Sequence, residues 1–315
     1  MATMKAVRVH AYGGPEVLRY EDAPSPTPGE GELLIRVRAA GVNPADWKAR
    51  EGYFKDFVAF QMPYVPGTDL SGIVAALGPG AAGYAIGDEV YGMSRFGKSG
   101  AYAEYTTTKP ELISRKPRSL DHVHAAAVPT SALAAWQVLF GDGMIDLKPG
   151  QTVLIHRAAG GVGMFAVQLA KSRGANVIGT ASASNASMLR ELGADQVIDY
   201  AKTRFDEAVQ GVDAIFDSLG GDVEKRSWKV LRPGGVLASI VALKLTPPED
   251  APPGVRGVTS FSVPTSKLSE IARLIDTGTI KVVVREVLPL AEAREAQERS
   301  QSGHARGKIV LKVTG

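Results

Sequence analysis

Apolar residues recur at two different periods along this chain, and the period changes near residue 125. Before that point, short alternating runs are punctuated by glycine and proline. Residues 4–10 alternate like a strand, and Gly13-Gly14-Pro15 then turns the chain. Residues 32–40, ELLIRVRAA, form a second alternating strand. Turns feed further strands at 66–74, 87–92 and 100–107. Short strands at this spacing predict a small irregular β-barrel over residues 1 to about 125. Within it, Asn43 is placed to cap a helix, with Pro44 in the first turn.

Beyond residue 125 the pattern is that of helices alternating with buried strands. Residues 129–140 read as a helix. The strands are 153–155, 177–180, 197–199, 214–217 and 236–241, and the fourth helical segment ends at Leu231-Arg232-Pro233-Gly234-Gly235. This alternation predicts a doubly wound parallel sheet with right-handed crossovers. After a proline-rich loop, residues 258–263 are a candidate sixth strand. Residues 267–277 and 291–302 read as helices, and 282–288 and 308–313 as strands, a pattern closer to the first part than to the second. The expected organisation is therefore α/β. A β-barrel domain is built from residues 1–125 and 265–315, with a nucleotide-binding domain of residues 126–264 inserted into it. There is no internal repeat and no low-complexity tail.

Residues 151–174, QTVLIHRAAGGVGMFAVQLAKSRG, carry the plainest chemistry. The run Val153-Leu154-Ile155 is short, apolar and β-branched, as a buried parallel strand requires. A loop of small residues follows, Ala158-Ala159-Gly160-Gly161-Val162-Gly163. An apolar pattern of helical period comes next, with Gly174 where a helix C-cap belongs. Together these make a phosphate-binding corner. Gly160 and Gly161 allow a tight turn and let a pyrophosphate approach bare backbone. Gly163 lets the helix pack closely, and the helix N-terminus offers free N–H groups and a positive dipole end. The end of the second strand decides which dinucleotide fits, because an NAD-preferring site carries an acid there for the ribose 2′-hydroxyl. Here Thr180 is followed by ASASNAS, with no acid before Glu191. Ser182, Ser184 and Asn185 offer neutral hydrogen bonds to a 2′-phosphate. Arg190 is the nearest cation in sequence and equally suits the solvent face of its helix. The expected cofactor is NADPH.

Composition narrows the partner classes. At 315 residues, 44% hydrophobic and 22% charged, the chain is a globular protein long enough for two domains. A net charge of +3 is too small for a nucleic-acid surface. The absence of cysteine excludes disulfides, thiolate zinc sites and iron–sulfur clusters. The first residues lack the apolar core of a signal peptide and no run is long enough to span a bilayer, so a cytoplasmic location is expected. The five histidines, His10, His122, His124, His156 and His304, are scattered. His122 and His124 are two apart, which sets them on different sides of a helix. No metal site is expected.

Several phrases, in their order and spacing, resemble the medium-chain dehydrogenase/reductase superfamily, and within it the zinc-free, zeta-crystallin-like quinone oxidoreductase branch. They are Ala40-Gly41-Val42-Asn43-Pro44-Ala45-Asp46, Pro66-Gly67-Thr68-Asp69, Ala159-Gly160-Gly161-Val162-Gly163, Asp217-Ser218-Leu219-Gly220-Gly221 and Gly303-His304-Ala305-Arg306-Gly307-Lys308. The resemblance covers essentially the whole chain. It implies a GroES-like barrel with an inserted Rossmann domain and a cleft between them that takes the nicotinamide ring. It implies that Asn43 sits beside the nicotinamide and that Thr130 contacts the cofactor near its ring end. Ser239, Val241 and Ala242 would line the cofactor cleft after the fifth strand, and Tyr200 would reach the 2′-phosphate pocket. The zinc-dependent members hold their metal with a cysteine and a Gly-His-Glu phrase; Gly67-Thr68-Asp69 stands in its place here. A homodimer through the nucleotide domain, pairing residues 258–263 with their copy, is a further implication.

Without a Lewis acid, oxidation of a simple alcohol is hard, since nothing takes up alkoxide charge. Hydride transfer to a quinone or to the β-carbon of an enone needs less help. The acceptor spreads the developing charge onto its own oxygen, and the protein mainly orients it and offers one hydrogen bond. Tyr53 is the candidate donor: the resemblance implies a Gly-x-Tyr phrase here, and this chain has Gly52-Tyr53-Phe54, one residue short of it. Phe54, Phe57 and Phe60 suit an apolar pocket or the core equally. The expected function is NADPH-dependent, zinc-independent reduction of quinones or α,β-unsaturated carbonyls. The alternatives are an enoyl thioester reductase, or a non-catalytic NADPH-binding structural or RNA-binding protein.

Overall fold

The computed structural model describes residues 2–303 and 307–313, and His304, Ala305 and Arg306 of the last phrase above lie outside the described residues. The chain divides into two compact units. One comprises Met1–Thr130, Thr265–Gly278 and Val282–Gly315, the other Ser131–Pro264 and Thr279–Lys281.

The first unit is built on a mainly antiparallel seven-stranded sheet. Its path runs Val284–Pro289, Lys308–Lys312, Leu33–Val42, Asp69–Leu77, Glu89–Met93 and Ile113–Arg115, with Tyr105–Thr108 also paired to Leu33–Val42. A separate hairpin pairs Thr3–Val9 with Leu18–Pro24. The alternation of ELLIRVRAA has its physical counterpart here: Leu33, Ile35 and Val37 are buried, while Leu34, Arg36 and Arg38 are half-buried. Those three join Leu70, Val74, Val90, Ile309 and Leu311 in one core. Each fully buried aliphatic side chain contributes about 1.5–3 kcal/mol of transfer free energy. The closing strand pairs antiparallel with Leu33–Val42, in the register Ile309↔Val42 and Leu311↔Ala40. Position 308 is thereby brought to Asn43, more than 260 residues earlier.

The second unit holds a six-stranded, all-parallel sheet. Its order is Gln196–Asp199, Asn176–Ala181, Thr152–Ile155, Val212–Asp217, Leu231–Ser239, Arg256–Thr259. In chain order that is 3-2-1-4-5-6, the Rossmann arrangement, whose ligand site lies outside the carboxyl ends of the strands where the order reverses. Val153, Leu154 and Ile155 are buried, and so is the helix from Gly163 to Ala170.

Several boundaries differ from the sequence expectation, three of them with a clear physical cause. The fourth helical segment stops earlier, at Gly221–Ser227 with a 3-10 turn over Trp228–Val230. The residues Leu231-Arg232-Pro233-Gly234-Gly235 open the next strand instead. The register jumps from Val212↔Leu231 to Ala214↔Val236, so Pro233 sits in a bulge where no ladder N–H is needed, and Gly234 takes φ +74° there. That strand ends at Ser239 rather than at residue 241, because the Ser239 hydroxyl accepts from the N–H groups of Val241 and Ala242 and turns the chain. The edge strand is Arg256–Thr259, where 258–263 was expected, so it starts and ends earlier. The Ser260 hydroxyl bonds the Ser262 carbonyl ahead of Pro264, and the chain leaves the sheet. No helix among the described residues is long and apolar enough to cross a membrane.

Candidate active site

In the second unit, the strand Thr152–Ile155 runs through residues 156–160 into the helix Gly161–Ser172. The sharp turn falls on Arg157, at φ +53°, and not on the glycines expected to make it. Gly160 is the N-cap at φ −76°, a conformation open to any residue. The Arg157 N–H donates to the Thr180 hydroxyl and the Ala158 N–H to the Thr180 carbonyl, so the second strand props up the turn. Gly163 is glycine for packing: a Cβ there would lie 2.4 Å from the Arg157 carbonyl oxygen and 2.7 Å from that of Ala158. At Gly160 a Cβ would meet the same oxygen at 3.1 Å and otherwise only the flexible Arg157 side chain. The first N–H groups of the helix have no preceding turn to donate to, and with Ala159 and Val162 they form the rim of the corner. The chain thus fits a dinucleotide: small residues, free amides and a helix N-terminus converge at the carboxyl end of the first strand.

His156, beneath the turn, is buried between the hydroxyls of Thr180 and Ser227, and burial pushes it down to about 4. It is a neutral structural residue at physiological pH. At the end of the second strand, Ser182, Ser184 and Asn185 form a local cluster. The Ser182 and Ser184 hydroxyls are 3.1 Å apart, and the Asn185 amide donates to Ser182 at 2.9 Å. Asn185 is buried, whereas Ser184 and Tyr200 are exposed. Asp199 stands opposite Ala181 in register, an acid near this corner that the sequence pattern did not bring out. Its carboxylate accepts from Ala201 N–H within its own turn. At the fourth strand's end, the buried Asp217 carboxylate accepts from Leu219, Gly220 and the Ser239 hydroxyl. Ser239 therefore fixes two loops at once, and Val241 is left exposed.

In the first unit, a buried polar cluster surrounds Asn43. The helix Pro44–Arg50 opens with a capping box: Asp46 at the third position accepts from the Asn43 N–H at 2.8 Å. Asp46 also accepts from the hydroxyls of Tyr102, at 3.0 Å, and Thr68, at 3.3 Å. The Asn43 side-chain amide donates to Asp69 at 2.9 Å, and Thr130 donates to Asp69 through both N–H and hydroxyl. Lys308 donates to the Val42 carbonyl and the Asn43 amide oxygen and lies 3.8 Å from Asp69. Two carboxyls thus share one ammonium in a space closed to water. Burial pushes Asp46 up to about 7 and raises Asp69, while it lowers Lys308. The arrangement is electrically balanced when Asp46 carries a proton. Asp46, Lys308 and Tyr102 were not candidates from sequence. The only local signal was the spacing of Asn43 and Asp46 as a capping box.

Tyr53 is 62% exposed and stands edge-on to Trp47 at 6.1 Å. The three phenylalanines separate: Phe57 is 85% exposed, whereas Phe54 and Phe60 each pack on Phe96 at 5.5 Å. His122 and His124 diverge as expected, the first to Ser71 and Glu89 and the second to Asp121.

Among the described residues of the first unit, the cluster around Asp69 does not fit a metal. Asp69 already takes three hydrogen bonds and faces an ammonium, which would repel a cation. The chain has no cysteine, and no three His, Asp or Glu side chains come together among the described residues.

Residues 29–118 match the alcohol dehydrogenase GroES-like domain and residues 192–311 the zinc-binding dehydrogenase family. The human quinone oxidoreductase is 30% identical over 98% of this chain and 97% of its own length. The chloroplastic NADPH-dependent alkenal/one oxidoreductase of Arabidopsis thaliana is 32% identical over 98% of this chain and 79% of its own. Among solved structures, the quinone oxidoreductase from Coxiella burnetii superposes with a TM-score of 0.88 at 34% identity, covering 99% of this chain and all of that one. A shared fold and this level of identity across nearly the whole length have one reading: the chain belongs to the quinone oxidoreductase family of the medium-chain dehydrogenase/reductase superfamily and is an oxidoreductase that uses a nicotinamide cofactor.

Proposed function

We propose that the protein is an NADPH-dependent reductase of quinones or α,β-unsaturated carbonyls that works without a metal. The observation that carries the cofactor choice is the neutral Ser182, Ser184 and Asn185 cluster at the end of the second strand. The relatives named above support the acceptor class. A bound nicotinamide would supply the hydride. Gly160, Gly161, Val162 and Gly163 would hold the pyrophosphate with backbone N–H groups, and Tyr200 would close over the 2′-phosphate. Asn43 and Thr130 would serve the nicotinamide end, Ser239, Val241 and Ala242 would shape the loop beside it, and the Tyr53 hydroxyl would donate to the acceptor oxygen. No Lewis acid is needed, because a conjugated acceptor delocalises its own charge.

NADPH should be preferred over NADH by roughly tenfold to a hundredfold, the scale of one or two charge-assisted hydrogen bonds. Ser182→Asp should weaken NADPH selectively by setting a carboxylate against the phosphate. Titration showing equal or tighter NADH binding by the unaltered protein would refute the assignment. The reaction is tested by following NADPH absorbance with 9,10-phenanthrenequinone, simple enones and crotonyl-CoA, with and without EDTA. Turnover of a quinone or enone, insensitive to EDTA, is expected. Turnover of the thioester alone would move the assignment to an enoyl reductase. Activity lost to EDTA and restored by zinc would end the metal-free reading, and tight binding with no turnover of any acceptor would favour a non-catalytic role.

A further inference from the structure

We propose that Lys308 is a positioning residue that fixes the orientation of the Asn43 carboxamide and, through Asp69, the seat of Thr130. An amide side chain has an oxygen end and a nitrogen end, and its neighbours decide which way it points. Asn43 lies between two groups that leave no choice. The Lys308 ammonium has only donors, so it takes the amide oxygen. The Asp69 carboxylate has only acceptors, so it takes the amide nitrogen, at 2.9 Å. The other Asp69 oxygen receives the Thr130 N–H at 3.0 Å and the Thr130 hydroxyl. Lys308 is itself anchored on the Val42 carbonyl at 3.1 Å, one residue before Asn43. All of these side chains except Thr130 are buried, so bulk water does not compete for the amide. An ion pair in such a place adds little net stability against an apolar pair of similar volume, and its best-attested use is to select one arrangement among several. The arrangement selected here is one amide rotamer and one helix-start hydroxyl. Their importance for reduction rests on the reading that Asn43 and Thr130 serve the nicotinamide end.

The test uses Lys308→Met, and Lys308→Met combined with Asp69→Asn so that no lone charge is buried if the single variant fails to fold. Without any cofactor, the Asn43 side-chain amide of the unaltered protein should give slowly exchanging 1H–15N resonances, identified by their loss in Asn43→Leu. Both Lys308 variants should broaden or shift them. With NADPH and 9,10-phenanthrenequinone, kcat should fall by about tenfold to thirtyfold, the scale of a misaligned reacting pair. The primary isotope effect from NADPH deuterated at the transferred position should rise, with the Kd for NADPH changed less than about threefold. A merely structural lysine would alter thermal stability but not the isotope effect of the folded protein. Unchanged amide resonances in a folded variant would overturn the proposal, as would an unchanged isotope effect with unchanged kcat. An unaltered protein that turns over no acceptor would instead remove the functional reading and leave the amide resonances to decide the positioning claim.

Discussion

Gly163→Val should abolish binding of the nicotinamide cofactor and destabilise the parallel-sheet unit by about 3 kcal/mol or more, at the upper end of overpacking effects. A Cβ at this position would sit 2.4 Å from one carbonyl oxygen and 2.7 Å from the next, both backbone. Neither can move aside as a side-chain tip could. The turn that carries them is pinned by two hydrogen bonds to Thr180 and takes a left-handed residue at Arg157. Accommodation therefore requires the helix to shift away from the strand, which opens the corner that would receive the pyrophosphate. Gly160→Ala is the contrasting change. Its Cβ would meet one oxygen at 3.1 Å and otherwise the Arg157 side chain, with no backbone strain at φ −76°. It should leave thermal stability nearly unchanged and weaken cofactor binding by crowding the phosphate approach. Calorimetry and fluorescence titration on both variants separate packing from ligand contact. Gly163→Val with unaltered melting and binding would show that the helix is not seated as described.

Features written in consecutive residues were legible in the sequence. The helix Pro129–Phe140 and the strand at Thr152–Ile155 have strong periods and clear breakers, and their ends match the reading to within a residue. The helix start at Asn43-Pro44-Ala45-Asp46, with Asn43 as its cap, is a four-residue signal. Local reading failed where a long-range contact overrides a local cue. Pro233-Gly234-Gly235 looks like the end of a helix, yet a neighbouring strand recruits Leu231 and lets the rest bulge. A glycine-rich loop invites its glycines into the turn, but the strand beside it holds Arg157 there instead. Arg50 is the last residue of the short helix Pro44–Arg50. It is fully buried, donating to the Gly13 carbonyl, Gln297 and Gln301. The Asn43 cluster is assembled from positions 43, 46, 69, 102, 130 and 308, and only Asn43 and Asp46 among them are close neighbours in the chain. Charge is informative only once its neighbours are known. Lys308 looks like any residue of a final strand until the register Ile309↔Val42 brings it over Asn43.

The same cluster makes stability depend on pH in an unusual direction. Burial is the main cause that pushes Asp46 from 3.8 up to about 7, and the nearby Asp69 carboxylate adds to it. The Asn43 N–H, the Tyr102 hydroxyl and the Lys308 ammonium oppose the rise. In the unfolded chain this carboxyl loses its proton near pH 4, whereas in the folded protein it holds it until about pH 7. Between those values the folded state binds more protons, so stability falls as pH rises. The contribution is fully present below pH 4 and lost by about pH 7, with a ceiling on the order of 4 kcal/mol. Asp46→Asn removes this titration and leaves Asp69 and Lys308 as a balanced pair. The variant should match the unaltered protein near pH 4.5 and be the more stable of the two at pH 8. Asp88, Asp195 and Asp276 are held below the usual carboxylate range and contribute with the opposite sign, but they are common to both proteins and cancel in the comparison. Melting temperatures of the pair at pH 4.5, 6 and 8 give the answer. A difference that stays constant across the series would show that Asp46 is ionised in the folded protein throughout, and that the cluster carries a net negative charge at pH 6.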